Sequence, residues 1–130
     1  MPTRRSRFTR VVPRPDRVRG LGATSFGWIA TTLLRAGWLK VLSPADVATY
    51  VLLCLAADRD GVSFYRRGRM ACELGLGEDE LDAALGRLLR LDLVAHRPFR
   101  AGAPDGFWQV LALPLDGPPS PFALLGVEEL

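Results

Sequence analysis

The sequence predicts a mainly α-helical domain closed by a small β-hairpin, and three observations carry that expectation. A long apolar pattern with helical spacing opens at Ser43-Pro44, two shorter helical patterns are separated by Gly75, and two β-rich runs flank a loop containing Gly102, Pro104 and Gly106. At 130 residues and 48% hydrophobic composition the chain has enough apolar surface for one core.

Taken in order, residues 1–24 combine arginines with Pro2, Pro13, Pro15, Gly20 and Gly22. Such a segment buries too little to repay its ordering entropy, so it reads as a flexible arm. An extra N-terminal helix is expected from Ser25 to about Gly37, where glycine supplies a stop. Trp28, Ile29, Leu33, Leu34 and Ala36 make it apolar on more than one face. It is therefore either inserted against the core or an oligomer contact, with Trp28, Leu33 and Trp38 as the contact residues.

Ser43 is a capping hydroxyl before a proline at the first helical position, and Asp46 suits the first turn. The helix runs to about Ala57, with Val47, Ala48, Val51, Leu52 and Leu55 as its main stripe and Tyr50, Leu53 and Cys54 widening it. The turn Asp58-Arg59-Asp60-Gly61 ends it, and Val62–Tyr65 suits a short edge strand. A second helix over Arg66–Leu74 turns Met70, Ala71 and Leu74 inward. The third follows Gly77, burying Leu81, Ala84, Leu85, Leu88 and Leu89 and exposing Asp79, Asp82, Ala83, Gly86 and Arg90. Leu93–Arg97 and Phe107–Leu113 form the hairpin. In the tail, 114–130, Pro114, Gly117, Pro118, Pro119 and Pro121 oppose regular structure, while Phe122, Leu124, Leu125 and Val127 suit docking on this chain or a partner.

The formal charge of +3 hides an asymmetry. Arg4, Arg5, Arg7, Arg10, Arg14, Arg17 and Arg19 face only Asp16 in the first nineteen residues, leaving ten basic against thirteen acidic residues in 20–130. The arm is basic and the body acidic. No apolar run approaches the roughly 18 residues of a membrane span, and the Arg-rich start lacks a signal-peptide core, which points to a cytoplasmic protein. Cys54 and Cys72 both fall in apolar helical patterns and read as buried structural thiols. A lone histidine, His96, lies in a predicted strand, and no triad, metal cluster or phosphate-binding loop can be assembled. No catalysis, cofactor or metal is expected.

The order helix, strand, helix, turn, helix, hairpin resembles winged helix-turn-helix DNA-binding proteins of the bacterial regulator and plasmid or phage replication type. The matching residues lie within 42–113: Leu42-Ser43-Pro44, the end Ala57–Gly61, Met70–Leu76, Leu81–Leu88 and Leu91–Val94. Residues 25–113 would then be a winged-helix domain with an added N-terminal helix. The resemblance implies double-stranded DNA as partner, the second helix of the pair in the major groove and the wing on the backbone. That helix departs from the pattern, because it opens Gly77-Glu78-Asp79-Glu80 and continues Asp82-Ala83, with four carboxylates where phosphates would lie. The candidate DNA contacts are accordingly Arg4, Arg5, Arg7 and Arg10 in the arm, Arg66, Arg67 and Arg69 at the start of the second helix, Arg87 and Arg90 late in the third, and Arg97 and Arg100 in the wing.

Two functions follow. One is a non-catalytic DNA-binding protein, nucleoid-associated, serving transcription regulation or replication of a mobile element, and dimeric through the N-terminal helix. The other is a winged-helix adaptor whose acidic third helix meets a protein partner, with the arginines as a solvated surface paired to Glu73, Asp82 or Asp92.

Overall fold

The computed structural model describes residues 9–20 and 25–118. Within them the chain is a small α/β protein of four helices and one three-stranded antiparallel sheet. Helix α1 is Thr32–Arg35, α2 Pro44–Ala56, α3 Arg67–Leu74 and α4 Glu78–Arg90; the strands are β1 (Val62–Ser63), β2 (Val94–Pro98) and β3 (Gly106–Val110).

Local chemistry sets most of these boundaries. At the start of α2 the Asp46 N–H donates to Ser43 Oγ (3.1 Å) and the Ser43 N–H donates to Asp46 Oδ2 (3.0 Å), a closed capping box with Pro44 in the first turn. After α2 the Asp58 carboxylate accepts the N–H groups of Val62 (3.0 Å) and Asp60 (2.8 Å), which holds it below the ordinary carboxylate range and delivers the chain into β1. Helix α3 ends at Gly75 (φ 67°), where Leu76 N–H reaches Ala71 O at 3.0 Å and Gly75 N–H reaches Cys72 O at 3.3 Å. Helix α4 ends in the same way at Asp92, a residue other than glycine held at φ 59°, with Leu93 N–H on Leu88 O at 3.0 Å.

The sheet order is β1-β3-β2, with β3 central. Its register places Ser63, Trp108 and His96 in one row, and Ser63 and Trp108 in that row are buried. Helices α2 and α4 pack on each other, α2 also against β3 and α4 against β2, around a core that includes Tyr50, Leu53, Met70, Leu81, Leu88 and Leu93. This is the expected succession of a long helix, a short strand, two helices and a hairpin.

Several expectations are corrected. The helix expected from Ser25 to Gly37 is a single turn, Thr32–Arg35, because Gly27 crosses α2 too closely for helical packing. A Cβ there would lie 2.9 Å from Leu55 Cα. Ile29, Thr31 and Thr32 add β-branched residues that disfavour the helix. Leu33 and Trp38, expected at an oligomer contact, are buried in this chain's own core at 6% and 1% exposure, whereas Trp28 is 76% exposed. On α2 the buried face is turned to Asp46, Thr49, Tyr50, Leu53 and Cys54, leaving Leu55 at 60% exposure. Thr49 can be buried because its hydroxyl donates to Ala45 O at 2.8 Å. Strand β1 stops at Ser63, Leu89 is exposed, and Cys72 is an exposed thiol while Cys54 is buried.

Residues 9–20 are exposed throughout and contain one 3-10 turn, Pro15–Arg17, with Arg14 bound to Asp16 at 2.8 Å. Arg4, Arg5 and Arg7, and Phe122, Leu124, Leu125 and Val127, lie outside the described residues. Among the described residues no helix is long and apolar enough to cross a membrane.

Candidate nucleic-acid interface

The β2–β3 hairpin is joined to the start of α3 by one side chain. Arg66, the residue before α3, offers no side-chain cap, and the first helical N–H, that of Arg67, instead donates to Asp105 Oδ1 at 2.8 Å. Asp105 lies in the hairpin loop, 38 residues on in the sequence, and its other oxygen stands 4.0 Å from the Arg66 guanidinium. A carboxylate at a helix start satisfies an orphan donor and complements the helix dipole, so this contact fixes the hairpin against α3. Gly106 permits the approach of the strands, since a Cβ there would fall 2.1 Å from Arg97 O. The role of Asp105 has no local sequence signal, because its partner is distant along the chain.

The arginines divide into engaged and available groups. Arg67 makes a two-pronged contact with Asp82 on α4, Nε and Nη2 each 2.8 Å from a carboxylate oxygen, with Glu78 at 3.9 Å. Hydrogen bonding to Asp82 raises the Arg67 pKa above the ordinary guanidinium value. Arg69 Nε binds Glu73 at 3.0 Å one turn along α3 and lies over the Tyr65 ring. Both pairings were among the alternatives that the sequence raised. Arg87, expected at phosphates, forms an ion pair through Nε with the buried Asp46 carboxylate at 3.0 Å, tying α4 to the start of α2. It serves the fold, because an unpaired charge at Asp46 would be costly.

Arg66, Arg90, Arg97 and Arg100 remain exposed, and among the described residues Arg90, Arg97 and Arg100 enter no ion pair within 4.0 Å. Three of the four, Arg66, Arg97 and Arg100, belong to the start of α3 and the hairpin. Arg97 pairs across the strands with Phe107. Beside them Phe99 and Phe107 meet edge to face, ring centroids 5.2 Å apart at 85°, and the Arg66 guanidinium lies 5.8 Å from the Phe99 centroid. Nothing local in the sequence marks these two phenylalanines as partners, although each adjoins a hairpin arginine or glycine.

Helix α4 presents Glu78, Asp79, Glu80, Asp82 and Ala83 at its exposed start. Asp82 is offset by Arg67, whereas Asp79 and Glu80 enter no ion pair among the described residues. The charge on this helix therefore stays negative. His96 stacks on Trp108 (4.1 Å, 24°), and burial pushes its pKa below the ordinary imidazole value, with Asp105 acting weakly in the other direction.

A second surface lies at the far end of α2, where Phe26–Ala30, Ala57–Gly61 and Val110–Leu113 line a groove of about 480 Å³. Phe26 and Trp28 on its edge are 62% and 76% exposed. Among the described residues no three of His, Cys, Asp and Glu are grouped to hold a metal ion. Compared with protein-family models, curated proteins and solved structures, the chain matches none.

Proposed function

We propose that this chain is a non-catalytic winged-helix protein that binds double-stranded DNA through the start of α3, the β2–β3 hairpin as wing, and the Arg-rich arm. The observation that carries the reading is the distribution of exposed guanidinium groups. Arg66, Arg97 and Arg100 sit where α3 and the hairpin are held together by Asp105, while Arg67 is neutralised by Asp82 of α4 and Arg87 by Asp46 of α2. Phosphates are accepted by such a cluster and rejected by Asp79 and Glu80, so α4 is held away from the groove or turned side-on to it. Affinity then comes mainly from backbone contacts, with the arm tracking the duplex through Arg4, Arg5, Arg7 and Arg10. A protein of this kind fits a nucleoid-associated accessory role in transcription regulation or in replication of a mobile element.

The test is duplex affinity over a salt series for the intact chain and for full-length variants lacking the arm arginines or lacking Arg66, Arg97 and Arg100. Each lost phosphate contact should flatten the slope of log K against log salt by about 0.9. Unchanged slopes in both variants, or no duplex binding at low salt, refute the proposal.

A second reading, a protein-interaction module, is favoured by the exposed Phe26, Trp28 and Leu55 beside the groove at the end of α2. A homodimer formed there is compatible with DNA binding, since it would double the basic surface. Sedimentation of the intact chain against Trp28→Ser tests it. A monomer in both cases removes self-association through this surface.

A further inference from the structure

We propose that Phe99 and Phe107 form a stacking site for an unpaired base, so that the chain prefers DNA in which a single-stranded stretch adjoins a duplex over continuous duplex. The proposal rests on the DNA-binding reading and specifies the kind of DNA that the hairpin takes.

Phe99 and Phe107 are 40% and 45% exposed, with Arg66 beside Phe99, Arg97 opposite Phe107 and the exposed Arg100 next to Phe99 in the chain. Two half-exposed phenyl groups in a basic setting are poorly suited to an apolar protein pocket. They are well suited to a ligand that offers flat rings and anions in alternation. Their perpendicular arrangement leaves at least one ring face that the partner ring does not cover. The flanking charges are placed for a phosphate chain: Arg66 lies over Phe99 with its side chain 72% exposed, and Arg97 is the cross-strand neighbour of Phe107. The nearby carboxylate of Asp105 is 22% exposed and already occupied by the Arg67 N–H and by Arg66.

The choice between paired and unpaired bases follows from chemistry. A phenyl ring has neither donor nor acceptor with which to read the edge of a base pair. It can stack, but inside a duplex both faces of every base are already covered by neighbours. Only a terminal or unpaired base offers a free face, and aromatic side chains with arginines along a backbone are the means by which single-stranded segments are held without regard to sequence.

The experiment compares, by fluorescence anisotropy at one salt concentration, a blunt 20-base-pair duplex (~20, a length ample for one site) with the same duplex extended by a short single-stranded overhang containing 2-aminopurine. The overhang substrate should bind more tightly, with the 2-aminopurine emission quenched on binding. Full-length Phe99→Ala and Phe107→Ala should each weaken overhang binding by about 5- to 150-fold, the range expected for loss of one stacked base, and leave blunt-duplex affinity nearly unchanged. Phe99→Tyr should retain the preference and Phe99→Leu should lose it. Circular dichroism and the thermal midpoint establish that each variant is folded; both rings are already half exposed, so neither substitution opens the core. Equal affinity for the two DNAs with normal duplex binding overturns this inference and leaves the DNA reading standing. Failure to bind either DNA overturns both. Retention of the preference in Phe99→Ala and Phe107→Ala, or a Phe99→Leu protein indistinguishable from the parent, assigns the preference elsewhere. Loss of self-association in Phe99→Ala without any change in DNA binding makes the patch a protein contact and likewise overturns it.

Discussion

Replacing Asp105 with alanine should loosen the hairpin from α3 and lower stability by about 1 kcal/mol. Among the described residues its carboxylate is the only side-chain acceptor at the start of α3, through a 2.8 Å bond from the Arg67 N–H, because Arg66 in the capping position contributes none. Loss of such an acceptor costs about 0.5–2 kcal/mol, typically ~1. The Arg66 contact adds little, since it spans 4.0 Å and the Arg66 side chain is 72% exposed. For a domain of this size a loss of ~1 kcal/mol lowers the thermal midpoint by roughly 4–8 °C. Asp105→Asn supplies the control, because asparagine caps about as well as aspartate and should restore most of the loss while removing the charge. Thermal unfolding followed by circular dichroism measures the three proteins, and amide hydrogen exchange at Arg67 reports the bond itself. Should Asp105→Ala melt with the parent protein, or Asp105→Asn melt with Asp105→Ala, the carboxylate does not join the hairpin to α3 and the geometry of the interface is wrong.

Three further outcomes are expected. Asp82→Asn frees the Arg67 guanidinium and removes one negative charge from α4, so duplex affinity should rise and the salt slope steepen by about 0.9, at a stability cost under ~1 kcal/mol for this exposed pair; weaker binding at low salt would contradict it. Asp92→Gly should raise stability by about 0.5–1 kcal/mol in urea unfolding, because Asp92 sits at φ 59° in a helix-ending position that glycine adopts without steric cost, and a loss of stability would show that its side chain matters more than its backbone. His96 has a folded-state pKa held below the unfolded value of about 6.5, so protonation favours the unfolded chain. Its contribution is complete above that value and is lost as pH falls through the folded pKa. Urea unfolding at pH ~7.5 and ~5.5 should show the decline, and His96→Phe, which keeps a ring against Trp108, should flatten it. An equal decline in that variant would place the titration elsewhere.

The parts of the fold legible in the sequence are those punctuated by local chemistry. Ser43, Pro44 and Asp46 announce the start of α2, Gly75 the turn after α3, and Gly102, Pro104 and Gly106 the hairpin loop. Periodicity did less well where nearly every residue is apolar. In α2 the most buried face also includes Asp46 and Thr49, polar residues that find partners in the Ser43 N–H, Arg87 and Ala45 O, and a count of hydrophobic side chains misses these two while including the exposed Leu55. The stretch before α1 departs from its pattern for a related reason. Its apolar pattern suits a helix, but Gly27 is needed where the chain crosses the α2 backbone, and Ile29, Thr31 and Thr32 are β-branched. The candidate interface was half legible: its arginines were evident, and the Arg69–Glu73 pair follows from helical spacing. The contacts that sort them, from Arg67 to Asp82, Arg67 to Asp105 and Arg87 to Asp46, join residues far apart in the chain. Only the folded arrangement separates Arg87, which holds α2 to α4, from Arg66, Arg97 and Arg100, which face solvent.

An amide-resolved NMR titration of the full chain with duplex DNA tests the central claim most directly. Perturbations should centre on Arg66–Arg69 and on Arg97–Phe107, with smaller effects along Asp79–Gly86. Unperturbed hairpin amides, or perturbations centred on Asp79–Gly86 or on Phe26–Ala30, would contradict it.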